Sequence, residues 1–139
     1  MKTTGGIIIV GALLGLFALT VQAVEPEEKI AITIQGGVAR HVNGYTFTGV
    51  PTEITVYNQD TEVHAFNSSL FGKNDKVELM SGGYRAEGRG PNAFRVDPGK
   101  TMVLRFTKAS QEGVGTTSYP FWCDLHRTVH GQILDVEGR

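Results

Sequence analysis

The chain has a single cysteine, Cys123, among its 139 residues. A lone cysteine has no partner for a disulfide within its own chain, so it is a free thiol, an intermolecular bridge or a metal ligand. No cysteine lies near the N-terminus, so we expect no lipid attachment there.

The chain also lacks an excess of charge of either sign. It contains 13 Lys and Arg and 14 Asp and Glu, for a formal net charge of -1. This balance provides no argument for binding nucleic acid or an anionic membrane surface. Internal repeats and low-complexity segments are absent from the sequence, and a convincing helical period is absent after Glu28. We therefore expect one all-β domain that does not bind nucleic acid.

The N-terminal residues differ from the rest of the chain in their composition. Lys2 is followed by residues 5–21 without any charged side chain, and Val21-Gln22-Ala23 has small residues at its outer positions. This is the pattern of a secretory signal peptide, and an uncleaved membrane anchor is the alternative. We expect residues 1–23 to form one of these and residues 24–139 to form the domain. Both alternatives predict a periplasmic or extracytoplasmic domain, which contacts the membrane only if the segment is retained.

Short β-rich runs separated by turn residues dominate the remainder. Several alternate between apolar and polar positions, as strands with one buried face do. The predicted strands are Lys29–Ile34, Tyr45–Thr48, Glu53–Asn58, His64–Leu70, Ala93–Val96, Thr101–Thr107, Thr117–Cys123 and Gln132–Val136. About eight short strands with regular turns indicate an antiparallel sandwich or barrel. A long loop is predicted from Gly72 to Asn92, either as a docking loop or as a solvated connection.

Potential metal ligands cluster near the C-terminus. Cys123, His126 and His130 share one short segment, and His64 follows another strand-like run. A thiolate with imidazoles is a soft, nitrogen- and sulfur-rich ligand set, which suits copper or zinc. Two histidines and one cysteine from two strands match the ligand set of a blue-copper electron-transfer site.

Three sequence segments resemble the cupredoxins, the small copper proteins that include plastocyanin and amicyanin. Asn58 to Phe66 is similar to the family's segment for the first histidine ligand, and Asp97 to Phe106 to the strand preceding the ligand loop. Tyr119 to His126 is similar to the segment with the cysteine and second histidine. The resemblance implies a Greek-key β-sandwich with one mononuclear copper held by His64, Cys123 and His126.

The sequence departs from most of the family at the axial position. Val129 stands where many members have methionine, and His130 follows it. Either residue, or a sulfur from Met80 or Met102, is a candidate for this position. A second histidine in this loop also resembles nitrosocyanin, a red copper protein. We predict that His130 is a fourth ligand.

The resemblance implies a carrier of single electrons rather than an enzyme. Its redox partner would be a protein such as a cytochrome or a copper enzyme, with His126 as the exit for the electron. A copper chaperone or store, or a nitrosocyanin-like site with catalytic potential, is the alternative. Zinc ligation by the same residues is a third interpretation.

Overall fold

The computed structural model describes residues 28–72, 75–109 and 115–137. In these ranges the chain forms eleven β-strands. None of the described residues belongs to a helix long and apolar enough to cross a membrane. The predicted signal or anchor, residues 1–23, lies outside the described ranges.

The strands form two sheets. They are β1 (Glu28–Gln35), β2 (Val38–Asn43), β3 (Thr46–Phe47), β4 (Pro51–Asn58), β5 (His64–Ser68), β6 (Glu78–Ser81), β7 (Gly83–Arg85), β8 (Phe94–Val96), β9 (Thr101–Thr107), β10 (Thr117–Trp122) and β11 (His130–Val136). The first sheet has the order β2-β1-β4-β9-β6, and the second has the order β3-β11-β10-β5-β8-β7. The predicted all-β sandwich is confirmed.

The core lies between the inward faces of the two sheets. Ile30, Ile32 and Ile34 of β1 are each at most 1% exposed, because the period-two alternation turns all three toward the same side. From the second sheet, Phe66 and Phe121 contribute rings whose centroids are 5.6 Å apart. This aromatic packing joins β5 to β10, the two strands that precede or carry the predicted ligands.

All eight predicted strands are present, with bounds that differ by a few residues at most. Three strands were not predicted: β2, whose side chains are exposed or half-buried, and the short strands β6 and β7. The last two lie inside the segment Gly72 to Asn92, so the prediction of one long loop there is wrong. Short edge strands are hard to recognise because they bury too few side chains to produce a regular alternation.

Two strand pairs depart from the antiparallel arrangement that the sequence indicates. β1 pairs with β4 in parallel, and β3 pairs with β11 in parallel. Alternation predicts which side chains of a strand face the core, whereas the direction of the neighbouring strand depends on the connections between them. The antiparallel pairing of β5 with β10 places Trp122 opposite Asn67 and so brings His64 and Cys123 to the same end of the second sheet.

Candidate metal centre

Three side chains converge at this end of the sandwich. The Cys123 Sγ lies 3.8 Å from the His64 Nδ1 and 3.7 Å from the His126 Nδ1. Ligand atoms of these three residues all lie within 4.8 Å of one another. His64 and Cys123 are buried, at 1% and 4% exposed, and His126 is half-buried.

The donor spacing fits a single metal ion. Nitrogen and sulfur donors that share one ion, with bonds of about 2.0 and 2.3 Å, stand about 3.5–3.7 Å apart in tetrahedral or trigonal arrangements. The two sulfur–nitrogen distances here fall in or next to that range. A thiolate with two imidazoles is also the donor set that soft first-row metals, including copper, prefer. The residues present therefore fit copper.

The turn that precedes β5 positions His64. The Asn58 Nδ2 lies 2.7 Å from the Glu62 carbonyl oxygen and 3.1 Å from that of Val96, and the Asn58 Oδ1 accepts a hydrogen bond from the Asp60 N–H at 3.0 Å. Asparagine stabilises turns of this kind because its side chain bonds the nearby backbone. The turn holds Asp60 so that its Oδ2 lies 2.8 Å from the His64 Nε2.

Asp60 is itself held by the turn between β1 and β2. The backbone N–H groups of Gly36 and Gly37 donate hydrogen bonds to Asp60 at 2.5 and 3.0 Å. Both glycines have positive φ values, 64° and 70°, which tight hairpin turns favour and most other residues avoid. Burial raises the pKa of Asp60, but the hydrogen bonds from Gly37, His64 and Gly36 outweigh burial, and the net pKa is lowered.

Cys123 follows β10 on its inward face. Phe121 is 1% exposed, whereas Trp122 is 42% exposed, so alternation turns Cys123 toward the core. The thiol sulfur accepts a hydrogen bond from the Ala65 N–H at 3.1 Å. A hydrogen bond to a ligating sulfur is one of the ways by which a protein tunes a metal centre.

The loop after β10 positions His126. The Cys123 N–H donates to the Val129 carbonyl at 2.9 Å, and the Val129 N–H donates to the His126 carbonyl at 3.1 Å. These bonds close the loop tightly and leave the His126 ring near that of His64, with centroids 4.7 Å apart. On its outer side, the His126 Nε2 lies 2.7 Å from the Glu62 Oε2.

The structure does not bring His130 to this cluster. His130 is exposed and begins β11, where it pairs with Trp122 of β10. Residues directly opposite each other share one face of a sheet, so His130 lies on the outer face, away from Cys123. This placement argues against our prediction of His130 as a fourth ligand.

The other axial candidates occupy different places. Val129 is 1% exposed and packs in the same core cluster as Cys123. Met102 is fully buried on β9 against Gly83, and Met80 is 47% exposed on β6 at the edge of the first sheet. Of these residues, Val129 is tied to the ligand loop through the hydrogen bond between its carbonyl and the Cys123 N–H.

Asp124 attaches the beginning of the ligand loop to the second sheet. Its Oδ2 accepts a hydrogen bond from Arg95 of β8 at 2.9 Å, and its Oδ1 accepts one from Asn67 of β5 at 3.1 Å. Burial raises the pKa of Asp124, but the hydrogen bonds from Asn67 and Arg95 outweigh it, and the net pKa is lowered. An ionised Asp124 therefore holds the residue next to Cys123 against two strands.

The carboxylates behind the two histidines were not recognised from the sequence as part of the site. Asp60 is predicted as a turn residue, and Glu62 lies two residues before His64 without any sign in the sequence of a contact with His126. A usable signal is their spacing, since both lie within four residues of His64 in a turn that follows a strand. Ligating histidines commonly donate their second ring N–H to a carboxylate.

Comparison with solved structures shows a cupredoxin-like fold. A multicopper oxidase from Campylobacter jejuni aligns at TM-score 0.50 and 14% identity, over 88% of this chain and 32% of that chain. The McoA multicopper oxidase from Aquifex aeolicus aligns at TM-score 0.53 and 14% identity, over 80% of this chain and 29% of that one. The chain thus spans about a third of the length of these oxidases.

Amicyanin aligns over 79% of this chain and 82% of its own length, at 16% identity and a TM-score of 0.43. The chain matches no protein-family model and no curated protein sequence. At such low identities the likeness to the oxidases concerns the fold alone.

Proposed function

We propose that this domain binds one copper ion through His64, Cys123 and His126 and transfers single electrons between redox proteins. The observation that carries the proposal is the convergence of three soft donor atoms from β5 and the loop after β10. The proposed partners are a cytochrome or a copper enzyme. The proposed location is periplasmic or otherwise extracytoplasmic, with an inner-membrane anchor if residues 5–21 are retained.

Copper bound to such a donor set would take up and release one electron. The chain's own contribution is a prepared pocket. His64 and Cys123 are buried. The Ala65 N–H donates a hydrogen bond to the sulfur, and the Asp60 carboxylate accepts one from the His64 ring, so both side chains are held in place. Donors held by the fold move little between oxidation states, which favours rapid electron exchange.

The surface near His126 supports a role in contacting a partner. The side chain of His126 is 31% exposed, and its neighbour Leu125 is 50% exposed. Trp122, on the strand that leads into the loop, is 42% exposed. A partly exposed ligand next to an exposed apolar side chain in the sequence suits brief contact with another protein.

A copper chaperone or store is the second candidate function, because the same three donors would also retain copper. The nitrosocyanin-like alternative is less well supported, since His130 lies on the outer face of the sheet. The oxidases that share the fold are about three times as long as this chain, so their activity is not carried over to it.

The test is titration of the apo protein with Cu(II), followed by absorption and electron paramagnetic resonance spectroscopy. We expect one equivalent to bind with intense thiolate-to-copper absorption, and Cys123→Ser to lose that absorption because serine offers no soft sulfur donor. Copper binding without the absorption would favour the chaperone or store. Failure of the wild-type protein to bind copper, or intense absorption in the serine variant, would overturn the proposal.

A further inference from the structure

His64 and His126 share the same arrangement on the side of the ring that faces away from Cys123. Each presents its Nδ1 to the Cys123 Sγ, and each has its Nε2 against a carboxylate, at 2.8 Å for Asp60 and 2.7 Å for Glu62. Both carboxylates come from the one turn between β4 and β5.

We propose that Asp60 and Glu62 are positioning residues of the metal centre, which hold both imidazoles as Nε2–H tautomers and lower the reduction potential of bound copper. This inference rests on the proposed function and deepens it. The carboxylates touch the rings and not the donor cluster, so they act through His64 and His126.

The tautomer argument follows from hydrogen-bond chemistry. A neutral imidazole has one N–H donor and one acceptor nitrogen, and an ionised carboxylate can only accept. A carboxylate at Nε2 therefore places the ring proton on Nε2 and leaves the Nδ1 lone pair facing Cys123. Both rings are prepared as Nδ1 donors before any metal binds.

The effect on the potential follows from charge. A carboxylate that accepts the ring N–H raises the basicity of the opposite nitrogen and makes it a better donor. Stronger donation, together with the nearby negative charge, stabilises the more highly charged oxidised ion more than the reduced one. Removing either carboxylate should therefore raise the potential.

The two carboxylates differ in how firmly they are held. Asp60 has a side chain that is 15% exposed and accepts hydrogen bonds from Gly36 and Gly37. The Glu62 side chain is 67% exposed. Asp60 is thus a fixed part of the fold, whereas Glu62 can be changed with little consequence for folding. Glu62 therefore provides the cleaner test.

The first experiment uses the copper-free protein. Nitrogen-15 NMR of the neutral rings reports which ring nitrogen carries the proton. We expect Nε2–H at both His64 and His126. Glu62→Ala should remove that preference at His126 alone, and Glu62→Gln should retain it because the amide oxygen still accepts. A wild-type Nδ1–H tautomer at either ring would overturn the inference, whatever the result of the copper titration.

The second experiment measures the copper-loaded protein. Loss of an outer partner of a ligating histidine typically weakens metal binding about 10–100-fold. We expect Glu62→Ala to weaken Cu(II) binding more than Cu(I) binding. Each factor of ten by which Cu(II) binding is weakened more than Cu(I) binding raises the one-electron reduction potential by about 59 mV. Asp60→Asn should shift the potential in the same direction, because an asparagine in place of Asp60 cannot accept from all three of its present donors.

Glu78→Ala is the matched control, because Glu78 is exposed on β6 and pairs with Lys76. The reduction potential and the histidine tautomers of the Glu78→Ala protein should equal those of the wild type. Equal potentials for Glu62→Ala and Glu78→Ala would reject the inference while leaving copper binding intact. Wild-type protein that binds no copper would instead reject the proposed function, and the NMR result would still decide the tautomers.

Discussion

The sulfur of Cys123 accepts a hydrogen bond from the backbone N–H of Ala65 at 3.1 Å, and Ala65 directly follows His64 in β5. One candidate ligand is thus bonded to the backbone beside another, although the two are far apart in the sequence. The packing of Phe66 on Phe121 supports the same contact from within the core. The donor cluster is therefore assembled by the fold itself.

A first prediction follows for the copper-free protein. We expect it to remain folded, because the sheets bury a continuous hydrophobic core that involves no metal. Copper should add stability by mass action, about 2.7 kcal/mol at a free concentration 100 times the dissociation constant. Circular dichroism and thermal unfolding with and without copper provide the measurement. Loss of the β spectrum on copper removal, as in zinc-finger peptides, would contradict the prediction.

The second prediction concerns His130. Because His130 lies on the outer face of the sheet beside Trp122, His130→Ala should leave the absorption and electron paramagnetic resonance spectra of the copper protein unchanged. His126→Ala is the comparison, and it should alter both spectra. A changed copper hyperfine pattern in His130→Ala would restore His130 as a ligand.

The third prediction concerns the packing beneath the ligand strand. Gly131 lies opposite Phe121, and a Cβ at this position would stand 2.5 Å from the Phe121 ring. Gly131→Ala should therefore lower the free energy of unfolding by about 1–3 kcal/mol, as overpacking typically does. Gly115→Ala is the control, since nothing lies within 4 Å of the Cβ there. Urea denaturation measures the free energy of unfolding of both variants. If Gly131→Ala were as stable as Gly115→Ala, the Phe121 ring would have moved aside without cost, and the prediction would be wrong.

The fourth prediction concerns Asp135 of β11. Burial raises its pKa above the ordinary value of 3.8, and the hydrogen bond from Thr48 and the attraction of Lys108 offset only part of this. A raised pKa in the folded state means that folding favours the protonated carboxyl. Its contribution to stability is full below the unfolded pKa and is lost as pH rises through the folded pKa.

The variant Asp135→Asn removes this titration. We expect the free energy of unfolding of the wild type, measured relative to that of the variant, to fall as pH rises from about 3 to 6. Urea denaturation across that range checks it, with substitution of the exposed Glu87 by Gln as the control for a surface carboxyl. A constant or increasing difference would contradict the raised pKa.

Much of the architecture is local in origin and was therefore predictable. Strands such as β1 and β9 alternate apolar and polar residues, and that pattern requires no knowledge of the partner strand. The spacing of Cys123 and His126, at the end of a strand whose inward residues are aromatic, is also a local signal. His64 was recognised by resemblance, because the turn before it has the composition of a known ligand segment.

Local residue patterns thus indicate the all-β class, most strands and three side chains of the candidate site. Contacts between distant segments fix the parallel pairings, the edge strands β6 and β7, and the separation of His130 from the other histidines. A backbone hydrogen bond from the Cys123 N–H to the Val129 carbonyl closes the ligand loop, and the next residue enters β11 opposite Trp122 on the outer face. Spacing along the chain sets how far a side chain can reach, but pairing between strands sets the face on which it lies.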